Sequence, residues 1–417
     1  MGPRVVALLA VACGSAVANV YFAQPLLPAL GRDLGIGSGA LGAVVTVTQV
    51  GYGLGLFLLV PLGDVADRRR LVVGQTLALA AALAVVGVAP SAAVLLAGVA
   101  AVGLLAVVAQ TLVAFAAALA VPSRRGRVVG LVTGGIVTGI LLARAVAGAL
   151  ADLAGWRAVY LASAAVTGVL ALALHRALPS RDFAPSPGYG RLLRSTVALF
   201  AREPVLRLRG VLALLVFAAF STLWSCVALP LSARGLSPAA IGAFGLAGAA
   251  GALAAPLAGR LGDRGRAAWT TSAGLVLLTV SWLPLAFTGA SLWALAVGVV
   301  VLDFAVQAVH VTSQSVIYAA RPDAGSRVIG GYMVFYSAGS ASGALAATAL
   351  YAAAGWGAVC ALGAGFSAAA LAVWAATACA PRRPSTARPA GAARRTPPDA
   401  SAAATRPPAP PAPGRAG

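Results

Sequence analysis

The residues best equipped for chemistry lie inside an apolar stretch. Asp303, Gln307, His310 and Gln314 punctuate residues 292–319, which are otherwise almost wholly apolar or small. With about 100° between helical residues, the four fall near about 0°, 40°, 340° and 20°, one narrow face over three turns. A carboxyl and an imidazole both carry protons, and together they exceed the hydrogen-bonding glue that small polar residues supply between helices. The stripe is expected to line a central cavity, with Asp303 or His310 as proton carrier. Arg144, the one arginine deep within an apolar run, shares a face with Thr133 and Gly148. It serves either as a structural charge partner for Asp303 or helix-end carbonyls, or as an anion or substrate contact or part of the coupling pair.

Softer candidates for the same pathway are Asn19, Gln24, Gln49 and Gln110. Tyr332, Tyr336 and Ser340 recur every four residues on one helical face, and Trp224 is a candidate wall of an apolar pocket. Gln110 stands out because an internal repeat, described below, sets it opposite His310. For each of the others, packing is the plainer role.

These residues need a scaffold, and composition restricts what it is. The chain has 417 residues, of which 60% are hydrophobic and 10% charged, with mean hydropathy +0.93. A soluble domain carries roughly 25% charged residues, so lipid is the expected solvent for much of this surface. The net charge of +20 is carried by arginine, because the chain contains no lysine. The arginines cluster between apolar runs, which argues for membrane topology and against nucleic acid as a partner. Cys13, Cys226, Cys360 and Cys379 are far apart in sequence and read as inert thiols.

Twelve apolar runs are long enough for helical crossings at about 20 residues each: 5–30, 40–62, 71–89, 92–121, 128–150, 157–176, 210–232, 239–258, 268–288, 292–319, 328–350 and 356–379. The first is expected to be an uncleaved span rather than a signal peptide. Residues 177–209 form a polar linker, and residues 380–417, rich in Pro, Ala and Arg, a disordered tail. The domains are therefore an N-terminal six-helix bundle (1–176), the linker, a C-terminal bundle (210–379) and the tail. One alternating set of loops holds Arg68–Arg70, Arg124, Arg125, Arg127, the linker, Arg260, Arg264, Arg266, Arg321 and Arg327; the other holds only Arg32, Arg157 and Arg234. The arginine-rich side is expected to be cytoplasmic, with both termini on it, in a bacterial cytoplasmic membrane.

The halves repeat at an offset near 200 residues. Gly155-Trp156 matches Gly355-Trp356, Arg127-Val128-Val129-Gly130 matches Arg327-Val328-Ile329-Gly330, and residues 35–42 parallel 235–242. With a small shift, Gly63-Asp64-Val65-Ala66-Asp67-Arg68 matches Gly259-Arg260-Leu261-Gly262-Asp263-Arg264. Parallel duplicated halves place a substrate site at their interface near mid-bilayer, where rocking gives alternating access.

The loops PLGDVADRRR (61–70) and PLAGRLGDRGR (256–266) resemble the Gly-x-x-x-Asp-Arg-x-Gly-Arg-Arg signature of the major facilitator superfamily. The resemblance covers residues 1 to about 379 and implies an all-α fold of 12 transmembrane helices. It also implies that Gly63, Asp64 or Asp67, Arg68, Gly259, Asp263 and Arg264 act as a conformational latch. The first copy lacks the Gly before its final arginines, so both Asp64 and Asp67 are candidates for the signature acid. Val99 stands where the family often has arginine, and Arg144 where family antiporters often have proline after their Gly-rich motif. The chain looks closest to bacterial drug and metabolite exporters.

The expected function is a secondary transporter exporting a small molecule in exchange for protons, as a monomer. The alternative on the same fold is a facilitator or importer of a polar metabolite. A membrane-embedded enzyme or sensor is disfavoured, since no soluble catalytic domain is discernible. The sequence has no nucleotide-binding motif or metal cluster, so no cofactor is expected.

Overall fold

A computed structural model describes residues 2–64, 66–121, 124–179, 188–321 and 325–379. Among them the elements are all helical: α1 (Pro3–Ala18), α2 (Ala23–Leu34), α3 (Gly42–Leu58), α4 (Arg68–Gly87), α5 (Ala92–Ala106), α6 (Val108–Leu119), α7 (Arg125–Ala177), α8 (Tyr189–Arg202), α9 (Pro204–Cys226), α10 (Ala228–Ala233), α11 (Pro238–Ala247), α12 (Ala249–Asp263), α13 (Ala267–Val280), α14 (Trp282–Ala286), α15 (Leu292–Ala320) and α16 (Gly325–Cys379), with short 3-10 turns between some of them. The tail assigned to 380–417 lies outside the described residues.

Among the described residues, eight helical segments are long and apolar enough to cross a membrane, nine if the bent pair α1–α2 is one span. Two of the eight are far longer than a bilayer needs, and each contains one non-helical glycine, Gly155 in α7 and Gly355 in α16. Contacts on either side show that the chain reverses there. Before Gly155, Ala10 packs on Gly135 and Gly14 on Gly139, so α7 runs parallel to α1. After it, Ser163 Oγ donates to Asn19 Oδ1 at 2.6 Å and Trp156 Nε1 to Asp33 Oδ2 at 3.0 Å, an antiparallel order. In α16, Gly339 meets Leu214 and Gly343 meets Ala218, parallel to α9. Beyond Gly355, Trp356 bonds Leu285 O at 2.9 Å and Trp374 bonds Ser272 at 2.8 Å, antiparallel to α13–α14. With these reversals, and with the short apolar α11 continued by α12, the described helices fall on all twelve runs of the sequence.

The duplication is visible in backbone detail. Gly155 and Gly355 have φ of 81° and 74°, and Gly35 and Gly235 have 67° and 81°. Each pair lies 200 residues apart in a region that favours a residue without Cβ. Ser91 and Ser291, also 200 apart, cap α5 and α15, accepting from Val94 N and Ala294 N.

Two features depart from expectation. First, the polar 177–209 linker holds a helix, α8, and α9 begins at Pro204, ahead of the apolar run read from 210. Proline suits a first helical position, where its missing N–H leaves no partner wanting. Helix α8 is amphipathic: Thr196 and Phe200 are buried while Arg191 and Arg194 are exposed. Phe200 stacks on Phe335 at 5.6 Å, and Tyr189 O–H donates to Leu58 O at 2.7 Å. Second, Arg144 is not the only arginine enclosed by the helices. Arg209, placed by sequence at the linker's edge, is 4% exposed. It donates to Thr271 Oγ1 at 2.9 Å and lies over the Trp374 ring.

Candidate functional site

Between the helices lies a cavity of about 800 Å³. One wall is α7, from Thr133 to Arg144; the facing wall is α15, from Asp303 to Ala319. Gln110, Tyr21, Tyr52, Phe217, Phe220 and Tyr336 complete much of the lining. The buried end holds Arg144 and Asp303, 3% and 8% exposed. Thr133 and Tyr318, at the arginine-rich end, are exposed, so the cavity opens in that direction. Towards the other end the halves close on each other's backbones. Gly148 meets Pro238, and Gly242 meets the main chain of Arg144 and Ala145. Gly42 N donates to Thr348 Oγ1 at 3.0 Å, and Ala239 N donates to Asp152 Oδ2 at 3.1 Å. Glycine at these crossings lets helices approach without intervening side chains.

The charged centre is built around one indole. Trp224, on α9, places its ring 3.9 Å from the Arg144 Cζ and donates its N–H to Asp303 Oδ1 at 3.1 Å. Arg144 is thus linked to Asp303 through an aromatic ring. Tyr21 and Phe220 approach the guanidinium at 5.2 and 5.6 Å, and Nε donates to Gln24 Oε1 at 2.7 Å. A desolvated cation over an aromatic face contributes about 2 kcal/mol. Arg144 and Gln24 belong to the first six runs, Trp224 and Asp303 to the last six. Tyr21 and Tyr336, also from opposite halves, share a hydrogen bond of 2.6 Å.

The expected stripe is present, with its members in different settings. Asp303, Gln307, His310 and Gln314 all line the cavity. His310 has partners at both ring nitrogens: Nδ1 lies 2.9 Å from Tyr332 Oη and Nε2 3.2 Å from Gln314 Nε2. Phe217 packs edge-on at 5.1 Å. Gln110 joins His310 in the lining, as the repeat implied.

Other candidates sit behind the wall. Gln24 holds Arg144, and Tyr332 holds His310. Asn19 bonds Ser15 and Ser163, tying α1 to α7. Gln49 and Ser340 are buried away from the cavity lining. The latch candidates lie at the arginine-rich end. Gly63 and Arg68 border a small pocket of about 60 Å³ together with Thr111 and Arg327. Asp67 caps its own helix α4, accepting from Arg69 N and Arg70 N, while Arg68 Nε donates to Gly63 O at 2.7 Å. Gly259 is in α12 and Arg264 at its exposed C-terminus; the side chains of Asp64 and Asp263 lie outside the described residues. Sequence reading missed Tyr21, Tyr52, Phe217 and Phe220. The two phenylalanines and Trp224 span one helical stretch of α9, and aromatic spacing was the available signal.

A bundle of duplicated helices around a central cavity is the architecture of a membrane transporter. The Major Facilitator Superfamily model matches residues 9–231 and again 210–413, two matches that overlap at 210–231. The chain belongs to that family. It is 44% identical to the transporter YgaY of Escherichia coli K12 over 376 residues, covering 90% of this chain and 95% of that one. It is 31% identical over 286 residues to the chloramphenicol resistance protein of Streptomyces lividans, covering 67% and 71%. Among solved structures, a bacterial homolog of the human lysosomal transporter Spinster, inward-facing, superposes with TM-score 0.74 at 16% identity over 90% of this chain and 97% of that one. The human organic anion transporter MFSD10 gives 0.64 at 21% identity over 90% and 100%. These two likenesses concern fold.

Proposed function

We propose that this transporter is a proton-coupled exporter, an antiporter that moves small, partly apolar molecules out across a bacterial cytoplasmic membrane. The observation that carries the reading is Asp303: a buried carboxyl on the cavity wall that accepts from the Trp224 N–H, while the Trp224 ring lies against the Arg144 guanidinium. Charge at that depth is expensive and is retained where it moves a proton or a substrate. His310, engaged at both ring nitrogens, orients the wall below Asp303, which leaves Asp303 as the proton carrier.

The arginine-rich end faces the cytoplasm, both termini lie on that side, and the protein works as a monomer of two six-helix halves. The cavity, open at that end, is then the inward-facing state. Apolar and aromatic lining suits partly apolar cargo, and the likeness to a chloramphenicol resistance protein supports export. Accumulation of chloramphenicol in everted vesicles provides a first test. A protonophore and Asp303→Asn should each abolish it. Normal proton-dependent accumulation by Asp303→Asn would remove Asp303 from the coupling role.

A further inference from the structure

The guanidinium of Arg144 is enclosed yet under-bonded. It is 3% exposed, and its hydrogen bond among the described residues is the one from Nε to Gln24. Nη2 is buried with no acceptor. Rings cover the guanidinium without accepting conventional hydrogen bonds from its terminal nitrogens. Asp303 does not relieve this: Oδ1 accepts from Trp224, and Oδ2 lies against Gly248. A buried donor left unpaired is costly, and a guanidinium more so, because it stays charged at every physiological pH. Arg144 borders the cavity; Tyr21, Phe220 and Trp224 lie over its guanidinium, and Phe217 continues the aromatic lining against Tyr336 and His310.

We infer that Arg144 forms an acceptor-binding subsite selecting an aromatic ligand that carries an anionic oxygen group, a carboxylate above all, and turning away organic cations. The inference rests on the reading of this cavity as the transport site and adds the substrate class. The ligand's oxygens would meet the terminal nitrogens, whose planar fork matches a carboxylate. Its ring would lie among Tyr21, Phe217 and Phe220, where offset and edge-on ring contacts are favourable. An ammonium group set against the guanidinium would meet like charge, whereas Asp303, at the same end, is turned to Trp224 N–H and to Gly248. Gln110 and Gln307 provide further polar contacts along the wall without adding charge.

The test uses purified full-length protein in detergent, without any gradient, and three probes that share one ring system: 1-naphthoate, naphthalene and 1-naphthylmethylammonium. Dissociation constants are measured by titration at one fixed pH. Naphthoate should bind at least about tenfold more tightly than the ammonium probe, the scale of one charge-assisted hydrogen bond. Arg144→Gln should erase that preference while leaving naphthalene affinity within about twofold, which also reports that the cavity is intact. Arg144→Lys, which keeps charge without the fork, should give an intermediate value. Should Arg144→Gln fail to fold, the order of the probes on the unaltered protein decides. Equal or tighter binding of the ammonium probe, absence of naphthoate binding, or an unchanged preference in Arg144→Gln would overturn the inference. Failure here leaves proton coupling untouched, because that is read from protonophore sensitivity in vesicles; loss of that sensitivity would leave the order of binding untouched.

Discussion

Gly242→Ala tests whether the closed end of the cavity is held by direct backbone approach between the halves. A Cβ at Gly242 would stand 3.0 Å from the carbonyl carbon of Arg144 and 3.3 Å from Cα of Ala145, with the Arg144 carbonyl oxygen closer still. Those atoms are main chain, so no rotamer change relieves the overlap and α11 must move away from α7. Overpacking of this kind costs about 1–3 kcal/mol. The cost falls on the state in which the two helices touch and is absent once they part. The ratio of open to closed at that end should therefore rise by about 5- to 150-fold. The assay is a distance distribution between spin labels at Leu153→Cys and Trp293→Cys, both exposed positions, at 84% and 83%, with native cysteines replaced. The long-distance population should grow in Gly242→Ala. Gly168→Ala, where an added Cβ meets nothing within 4 Å, is the control and should leave the distribution unchanged. An unaltered distribution in a well-folded Gly242→Ala protein would refute the argument.

Three further outcomes are expected. Trp224→Phe keeps a ring beneath Arg144 and deletes the N–H that Asp303 accepts; it should destabilise the protein by about 1.5–3 kcal/mol, read as a lower thermal unfolding midpoint, whereas Trp293→Phe should not. Asp67→Ala should cost about 0.5–2 kcal/mol through the lost helix cap and Asp67→Asn little, so a transport defect in a stable Asp67→Asn protein would reveal a role beyond capping. Gly155→Ala and Gly355→Ala should each cost about 1–3 kcal/mol, because both glycines hold positive φ at a chain reversal; equal stability to the parent in denaturant titration would show that the turns tolerate other backbones.

Much of this architecture was legible because lipid imposes simple rules. Long apolar runs gave the helices, and the repeated Gly-Trp pairs mark the two chain reversals. The stripe on α15 was legible for the same reason, since its polar residues stand out against an apolar background at helical spacing. Trp224 was visible only as a wall residue; its place between Arg144 and Asp303 depends on three helices distant in sequence. Arg209 was read as linker because it lies at the start of its apolar run, yet folding covers it with Trp374. Helix α8 escaped notice since its apolar residues are few and its arginines frequent. The roles of Asn19 and Gln24 as fasteners could not be separated from cavity lining, because both uses demand a polar group on a helix flank.

The most direct test of the central claim is proton movement in liposomes containing the purified protein and a pH-sensitive dye. Addition of chloramphenicol or 1-naphthoate to one side should drive a dye response that requires the protein and disappears in Asp303→Asn. A ligand flux of equal size in both proteins, with no accompanying proton movement, would contradict the account.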